Sequence, residues 1–150
     1  MSLLPGCFCC DQEAAEDLPV RERVHVGDGW RVAHAFDTSL PGWLVVLPRR
    51  HVTAMAELTD DEGAELGVLL VRLGRALSRV TGCTKTYVMQ FAEAPGFGHV
   101  HLHVVPRMAD QPEDRRGPAV FGYLGVPEGE RVPEDARDRL AGELAAALTA

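Results

Sequence analysis

Apolar residues along this chain change period several times, and each change marks an element. VRERVHV (20–26) and WRVAHAF (30–36) alternate apolar with polar positions and predict two strands, joined by a hairpin turn at Gly27-Asp28-Gly29. WLVVLP (43–48), after the Pro41-Gly42 turn, is a nearly continuous apolar run and suits a central strand. The period then lengthens to about 3.6, with Leu66, Leu69, Leu70, Leu73, Leu77 and Val80 on one helical face. Thr59 and Glu62 predict a capping box at the start of this helix and Gly82 predicts its stop, so the helix spans 59–81. Asp60, Asp61 and Glu62 lead it while Arg72, Arg75 and Arg79 trail, an order that complements the helix dipole. Glycines 63, 67 and 74 each weaken the helix by about 1 kcal/mol relative to alanine. Their spacing puts them near one stripe, read as a close-packing surface.

TKTYVMQFAE (84–93) predicts a further strand, and the turn from Ala94 to Gly98 leads into GHVHLHVV (98–105), its antiparallel neighbour. Residues 109–131 are rich in charge, proline and glycine and predict an extended loop that orders on a partner or substrate. Pro133 starts a C-terminal helix over 133–148, with Leu140, Leu144 and Leu148 on one face. Strands, a helix, then a further strand pair predict an α+β fold: one domain over 1–150 with an antiparallel sheet, a long central helix and a C-terminal helix.

Composition narrows the function classes. With 22 acids against 15 Lys and Arg the net charge is -7, and no basic arm or stripe exists to meet a phosphate backbone. A nucleic-acid partner is therefore not expected. No apolar run reaches the roughly 18 residues of a membrane span, and MSLLPG lacks the charged and apolar regions of a signal peptide. Three of the 4 cysteines crowd into Cys7, Cys9 and Cys10, unlike a secreted disulfide framework. The expectation is a cytoplasmic protein with no membrane partner, in which Cys7-x-x-Cys10 is either half of a zinc site or an ordinary pair of reduced thiols.

The chemistry concentrates in the histidine strand. On a strand, His99, His101 and His103 share one face, with alternate positions about 7 Å apart, while Val100, Leu102 and Val104 share the other. Three imidazoles would be costly to bury unpaired. Either one attacks an electrophilic phosphorus while its neighbours bind phosphate oxygens, or two or three hold a catalytic metal. The metal reading lacks a nearby carboxylate, since Glu93, the closest preceding acid, lies across the turn. His25 and His34, isolated elsewhere, are read as structural.

HVHLHVV (99–105) fits the His-φ-His-φ-His-φ-φ signature, with φ apolar, of the histidine-triad (HIT) superfamily of nucleotidyl hydrolases and transferases. PGWLVVLPRRHVTAMAELTDDE resembles that family's strand, Pro-x-x-His turn and helix start, and GCFCC resembles its N-terminal Cys-x-x-Cys; the resemblance covers about residues 7–107. It implies that His101 attacks the α-phosphorus of a nucleotide conjugate to give a nucleotidyl-histidine, which water then hydrolyses. His103 would bind the α-phosphate and help handle the proton, and His99 would support the geometry. Gln90 resembles a family glutamine that contacts phosphate, the Gly98 backbone could supply an amide to it, and Arg107 could reach a distal phosphate. The resemblance also implies a structural zinc ion on Cys7, Cys10, His51 and His99, with Cys9 as an alternative ligand, and a homodimer whose sheets join.

Three positions depart from the family pattern. Trp43 stands where many members carry a fourth histidine, Pro95-Gly96-Phe97-Gly98 replaces a Gly-Gln-Ser/Thr stretch, and Asp37 is the nearest acid for a ribose, a contact left open. Trp43 and Phe97 are read as packing residues rather than base-stacking platforms. The expected partner is a small-molecule nucleotide conjugate, either a dinucleoside polyphosphate or a nucleotide phosphoramidate. The alternative is a non-catalytic nucleotide-binding or zinc-stabilised interaction protein of the same fold.

Overall fold

The structure, a computed structural model, describes residues 2–150. Five antiparallel strands form one sheet in the order β1-β2-β3-β5-β4: β1 (His25–Val26), β2 (Trp30–His34), β3 (Leu44–Pro48), β4 (Lys85–Gln90) and β5 (Leu102–Arg107). Helices α2 (Asp60–Thr81) and α3 (Glu134–Leu148) cover one face, and the short α1 (Phe8–Ala14) lies near one end of the other. This is the α+β antiparallel arrangement that the hydrophobic pattern predicts.

Alternation explains the packing. Trp30, Val32, Leu44, Val46, Leu102 and Val104 point to the helices and meet Leu66, Leu69, Leu73, Ala76, Leu77, Ala141 and Leu144 in the main core. The capping box forms as expected: Glu62 N–H donates to Thr59 Oγ1 (3.1 Å) and Thr59 N–H to Glu62 Oε1 (2.9 Å). Gly82 ends the helix at φ 73°, in the left-handed region that favours glycine.

Several expectations change. Val20–Glu22 is a 3-10 turn and only His25–Val26 pairs as a strand. The charges of VRERVHV find side-chain partners instead of a strand ladder: Arg21 bonds Asp138 of α3 at 3.0 Å and Glu22 accepts from Arg31 of β2 at 3.1 Å. The histidine strand begins at Leu102 rather than before His99. Its ladder with β3 ends at Val46 opposite Leu102, because Pro48 has no N–H to give and its carbonyl accepts from His99 Nε2 (2.9 Å). Residues 109–131 carry three 3-10 turns, Glu113–Arg115, Gly117–Tyr123 and Glu128–Glu130, of which Gly117–Tyr123 is laid on this chain's own sheet. Ser39 N–H donates to Tyr123 O, Val126 N–H to Asp37 O and Val132 N–H to Thr38 O, while Val120 is buried against Trp43 and Val105. The glycine stripe of α2 is mostly open: a Cβ at Gly63 or Gly67 would meet nothing within 4 Å, and only Gly74 nears another element, Thr86 of β4 at 3.7 Å.

Candidate active site and metal centre

The N-terminal cysteines sit on the first turn of α1, where an i, i+3 spacing brings Cys7 and Cys10 to one side. There they meet His51, just after β3, and His99, just before β5. Their ligand atoms all lie within 4.8 Å of one another, with Cys10 Sγ at 3.3 Å from His51 Nδ1 and 3.5 Å from His99 Nδ1, and Cys7 Sγ at 3.7 Å from His99 Nδ1. The two Nδ1 atoms are 3.2 Å apart. Tetrahedral zinc, with bonds of about 2.0 Å to nitrogen and 2.3 Å to sulfur, sets ligand separations of about 3.3–3.8 Å. His99 Nε2 donates its hydrogen to Pro48 O, which leaves the Nδ1 lone pair for a metal. The four residues therefore form a set with the chemistry and spacing to hold zinc. Cys9 stays outside it and lines a neighbouring cavity, and burial pushes its thiol up to about 12.

A second anchor holds the other side of α1. Glu13 accepts from Arg31 Nε (2.9 Å) and Arg49 Nε (2.7 Å), and Arg31 Nη1 also donates to the Glu22 carbonyl (2.7 Å) and carboxylate (3.1 Å). The side chains of Arg31 and Glu13 are 2% and 7% exposed, so each charge depends on the other remaining in place.

Between α1, the sheet and the 117–131 segment lies a cavity of about 370 Å³. His101 and His103 line it. His101 Nδ1 donates to the His99 carbonyl at 2.9 Å, so its Nε2 carries the free lone pair. His103 is buried, its ring 5.1 Å from that of His101, and burial together with His101 pushes it down to about 4. Its Nδ1 accepts a hydrogen bond from the Trp43 indole N–H at 3.0 Å. Trp43 is thus both a packing residue, at 0% exposure, and the histidine's hydrogen-bond donor.

The cavity wall is mainly apolar, with Phe8, Phe36 and Phe97 forming an aromatic corner (Phe8 is 5.5 Å from Phe36 and 5.2 Å from Phe97) and Phe121 beside His103 at 5.2 Å. Phe97 accordingly packs on Phe8 and lines the cavity as well. Gln12, Asp37 and Glu93 supply polar groups to the lining. Ala92, in the loop beside them, has φ 57°, a left-handed conformation that costs an alanine about 1 kcal/mol.

Other expected contacts fall elsewhere. Arg107 stands at the far end of β5, opposite Lys85 and bonded to Met108 O, about 20 Å of strand from His101. It does not line the cavity. Gln90 pairs with Leu102 and so shares its helix-side face, whereas Met89 pairs with His103. Gly98 is exposed beside His99, and a Cβ there would meet nothing within 4 Å. His34 is held structurally, its Nδ1 donating to Ala35 O (2.9 Å) and its Nε2 accepting from Gly42 N–H (3.0 Å). Sequence reasoning missed α1 and its contributions Phe8 and Gln12, although the Cys-x-x-Cys spacing is compatible with a helical turn. It also missed Phe36 and Phe121, whose only signal is tertiary.

The HIT domain model matches residues 24–110, the span from β1 through the triad. Galactose-1-phosphate uridylyltransferase of Haemophilus influenzae is 25% identical over 131 residues, which are 83% of this chain and 38% of that protein. A Cryptococcus neoformans enzyme of the same name is 25% identical over 138 residues, 85% of this chain and 36% of its own length. The chain therefore spans little more than a third of these curated relatives. Among solved structures, a Hit-like protein from Bartonella henselae superposes with a TM-score of 0.74 at 19% identity, covering 98% of this chain and 99% of that one. A zinc-bound histidine triad family protein from Mycobacterium smegmatis gives 0.66 at 19% identity, with 95% and 91% covered. These two likenesses concern the fold. With more than half of its length matched and the whole triad inside the match, the chain belongs to the HIT family.

Proposed function

We propose that this protein is a nucleotidyl hydrolase or transferase acting at the α-phosphate of a nucleotide conjugate, with His101 as nucleophile. The observation that carries the reading is the His101 imidazole, whose Nδ1 hydrogen is committed to the His99 carbonyl while the ring lines an apolar cavity. The Nε2 lone pair forms an N–P bond as the bond from phosphorus to the leaving group breaks, and that bond's electron pair departs with the leaving group. An incoming oxygen then forms a P–O bond as the N–P bond breaks and its pair returns to Nε2; water passes its proton to solvent in this step, while an anionic phosphate oxygen brings none. Water as that oxygen makes the enzyme a hydrolase; a phosphate oxygen makes it a transferase, the reaction class named by the Haemophilus relative.

His103 donates to a phosphate oxygen, the aromatic corner takes the base, and the Asp37 carboxylate takes ribose hydroxyls. Cys7, Cys10, His51 and His99 hold zinc as a closed set of four protein ligands, a structural role that ties α1 to the base of the triad. Such thiol ligands persist in a reducing compartment, which agrees with a cytoplasmic protein. Among the described residues no helix is long and apolar enough to cross a membrane. For a homodimer, the candidate surface is the unpaired edge of β4 with the exposed face of α2, where Val68 is 60%, Val71 54% and Val88 47% exposed.

The test is intact mass spectrometry after brief incubation with an adenosine polyphosphate or adenosine phosphoramidate. Wild type should carry an acid-labile nucleotidyl adduct that His101→Ala lacks. No adduct and no product from either conjugate would instead favour a protein that binds nucleotide without turning it over.

A further inference from the structure

The pairing of Trp43 with His103 decides more than packing. An indole N–H can only donate, so the His103 Nδ1 it meets at 3.0 Å has to be an unprotonated acceptor and the ring hydrogen sits on Nε2. The arrangement is enclosed: the Trp43 and Phe121 rings meet His103 edge-on at 5.6 and 5.2 Å, and His103 itself is 7% exposed. Rotating the imidazole to exchange its nitrogens would break the bond and strand a buried indole N–H. Protonating Nδ1 would set two N–H groups against each other in the same space.

Resting on the nucleotidyl-transfer reading above, we propose that Trp43 is a positioning residue that locks His103 as a neutral Nε2–H donor, so that His103 steadies phosphate oxygen without protonating the leaving group. A neutral imidazole N–H shares its hydrogen but is far too weak an acid to give it up at neutral pH. The electron pair of the breaking bond therefore leaves on a group able to carry it unaided. The substrates selected are conjugates whose leaving group is a weakly basic oxyanion, a phosphate or phosphate ester, over those that release a basic amine or alkoxide. Burial of His103 acts in the same direction, because it opposes the imidazolium.

The experiment uses the full zinc-loaded chain with ¹⁵N-labelled histidine. At neutral pH, His103 should show a pyridine-type Nδ1 and a pyrrole-type Nε2. Replacing Trp43 by its benzothienyl isostere puts sulfur where the indole N–H stands and keeps the shape, so folding is preserved where Trp43→Phe leaves a void. In the isostere His103 should populate both tautomers, and kcat for a phosphate leaving group should fall about 10- to 100-fold, the range seen when a metal-bound imidazole loses its orienting partner. The preference for phosphate over amine leaving groups should narrow by about tenfold, since Nδ1 becomes free to accept a proton. An Nδ1–H signal in wild type would overturn the lock whatever the activity. An isostere with unchanged tautomer, kcat and preference would reduce Trp43 to packing. The tautomer is read without substrate, so a correct tautomer in a protein with no turnover would refute the nucleotidyl-transfer reading and with it the leaving-group selection, while the lock itself would stand.

Discussion

On the helix side of the sheet, Val32, Val46 and Val104 meet leucines of α2 and α3, and the surface is sealed by regular elements with no polar group at its centre. On the other side the intervening positions include Arg31, Val45 and His103, and cover comes from the seven-residue α1 and the 3-10 turns after residue 112. Both sides bury their strands, so β2 is buried at all five positions despite its alternating sequence. The difference lies in what holds each cover on. The helices are held mainly by apolar area, with Arg21 tied to Asp138 at the rim, whereas α1 is held mainly by a Cys/His cluster and a partly buried Arg31–Glu13–Arg49 bridge. A face closed by a few polar anchors leaves a cavity where one closed by leucines leaves a core.

That contrast makes metal removal the largest expected effect. Chelation, or Cys10→Ala, should cost several kcal/mol, a fraction of the roughly 10 kcal/mol or more that structural zinc contributes in small zinc peptides. The thermal melt should drop and amide exchange in residues 7–14 should accelerate before that in α2. A chelated protein with an unchanged melt and unchanged exchange in α1 would mean that the cluster is not a structural anchor. Leu73→Ala, on the helix side and 0% exposed, should destabilise by about 2–5 kcal/mol and still give the nucleotidyl adduct under folding conditions. His101→Ala should do the reverse, abolishing the adduct with little change in melting; equal effects of the two on both readouts would dissolve the distinction between faces.

Acid should act through His34, which burial pushes down to about 4 from its ordinary 6.5. Its folded-state value is depressed, so the unfolded chain binds the extra proton. The associated stability is present above about pH 6.5 and is lost as pH falls toward 4, up to about 3 kcal/mol. The pH dependence of denaturant midpoints should be flatter in His34→Gln by that amount; parallel curves would show that His34 does not titrate on unfolding. The smallest effect belongs to the cavity loop. Ala92→Gly removes the penalty of its φ of 57° but gives the unfolded chain more freedom, so stability should rise by no more than about 0.5 kcal/mol, measured by denaturant midpoint.

Much of the scaffold was legible in the chain because local rules and tertiary packing agreed there. Leu66, Leu69, Leu73 and Leu77 with the Thr59–Glu62 box define α2 nearly to the residue. The triad likewise marked His101 and His103 by period alone, though their strand starts later than the pattern suggested. Legibility failed wherever partners lie far apart. VRERVHV alternates like a strand, yet Arg21 is drawn to Asp138, 117 residues on. Residues 109–131 have the composition of a loop, yet Gly117–Tyr123 delivers Val120 to the core and Phe121 to the cavity. Arg107 followed the triad closely in sequence, and the rise of an extended strand carried it out of reach.

By itself the sequence determined the antiparallel strands and the long helix, which depend on period and on neighbouring residues, and through its triad motif the family. The tertiary structure decided that Cys7, Cys10, His51 and His99 converge and Cys9 does not, that three phenylalanines from separate segments make one corner, and that Trp43 meets His103 across 60 residues of chain. Those are long-range pairings, in which two ends are matched by shape, charge and hydrogen-bonding capacity only after the chain has folded, and no local pattern encodes which end meets which.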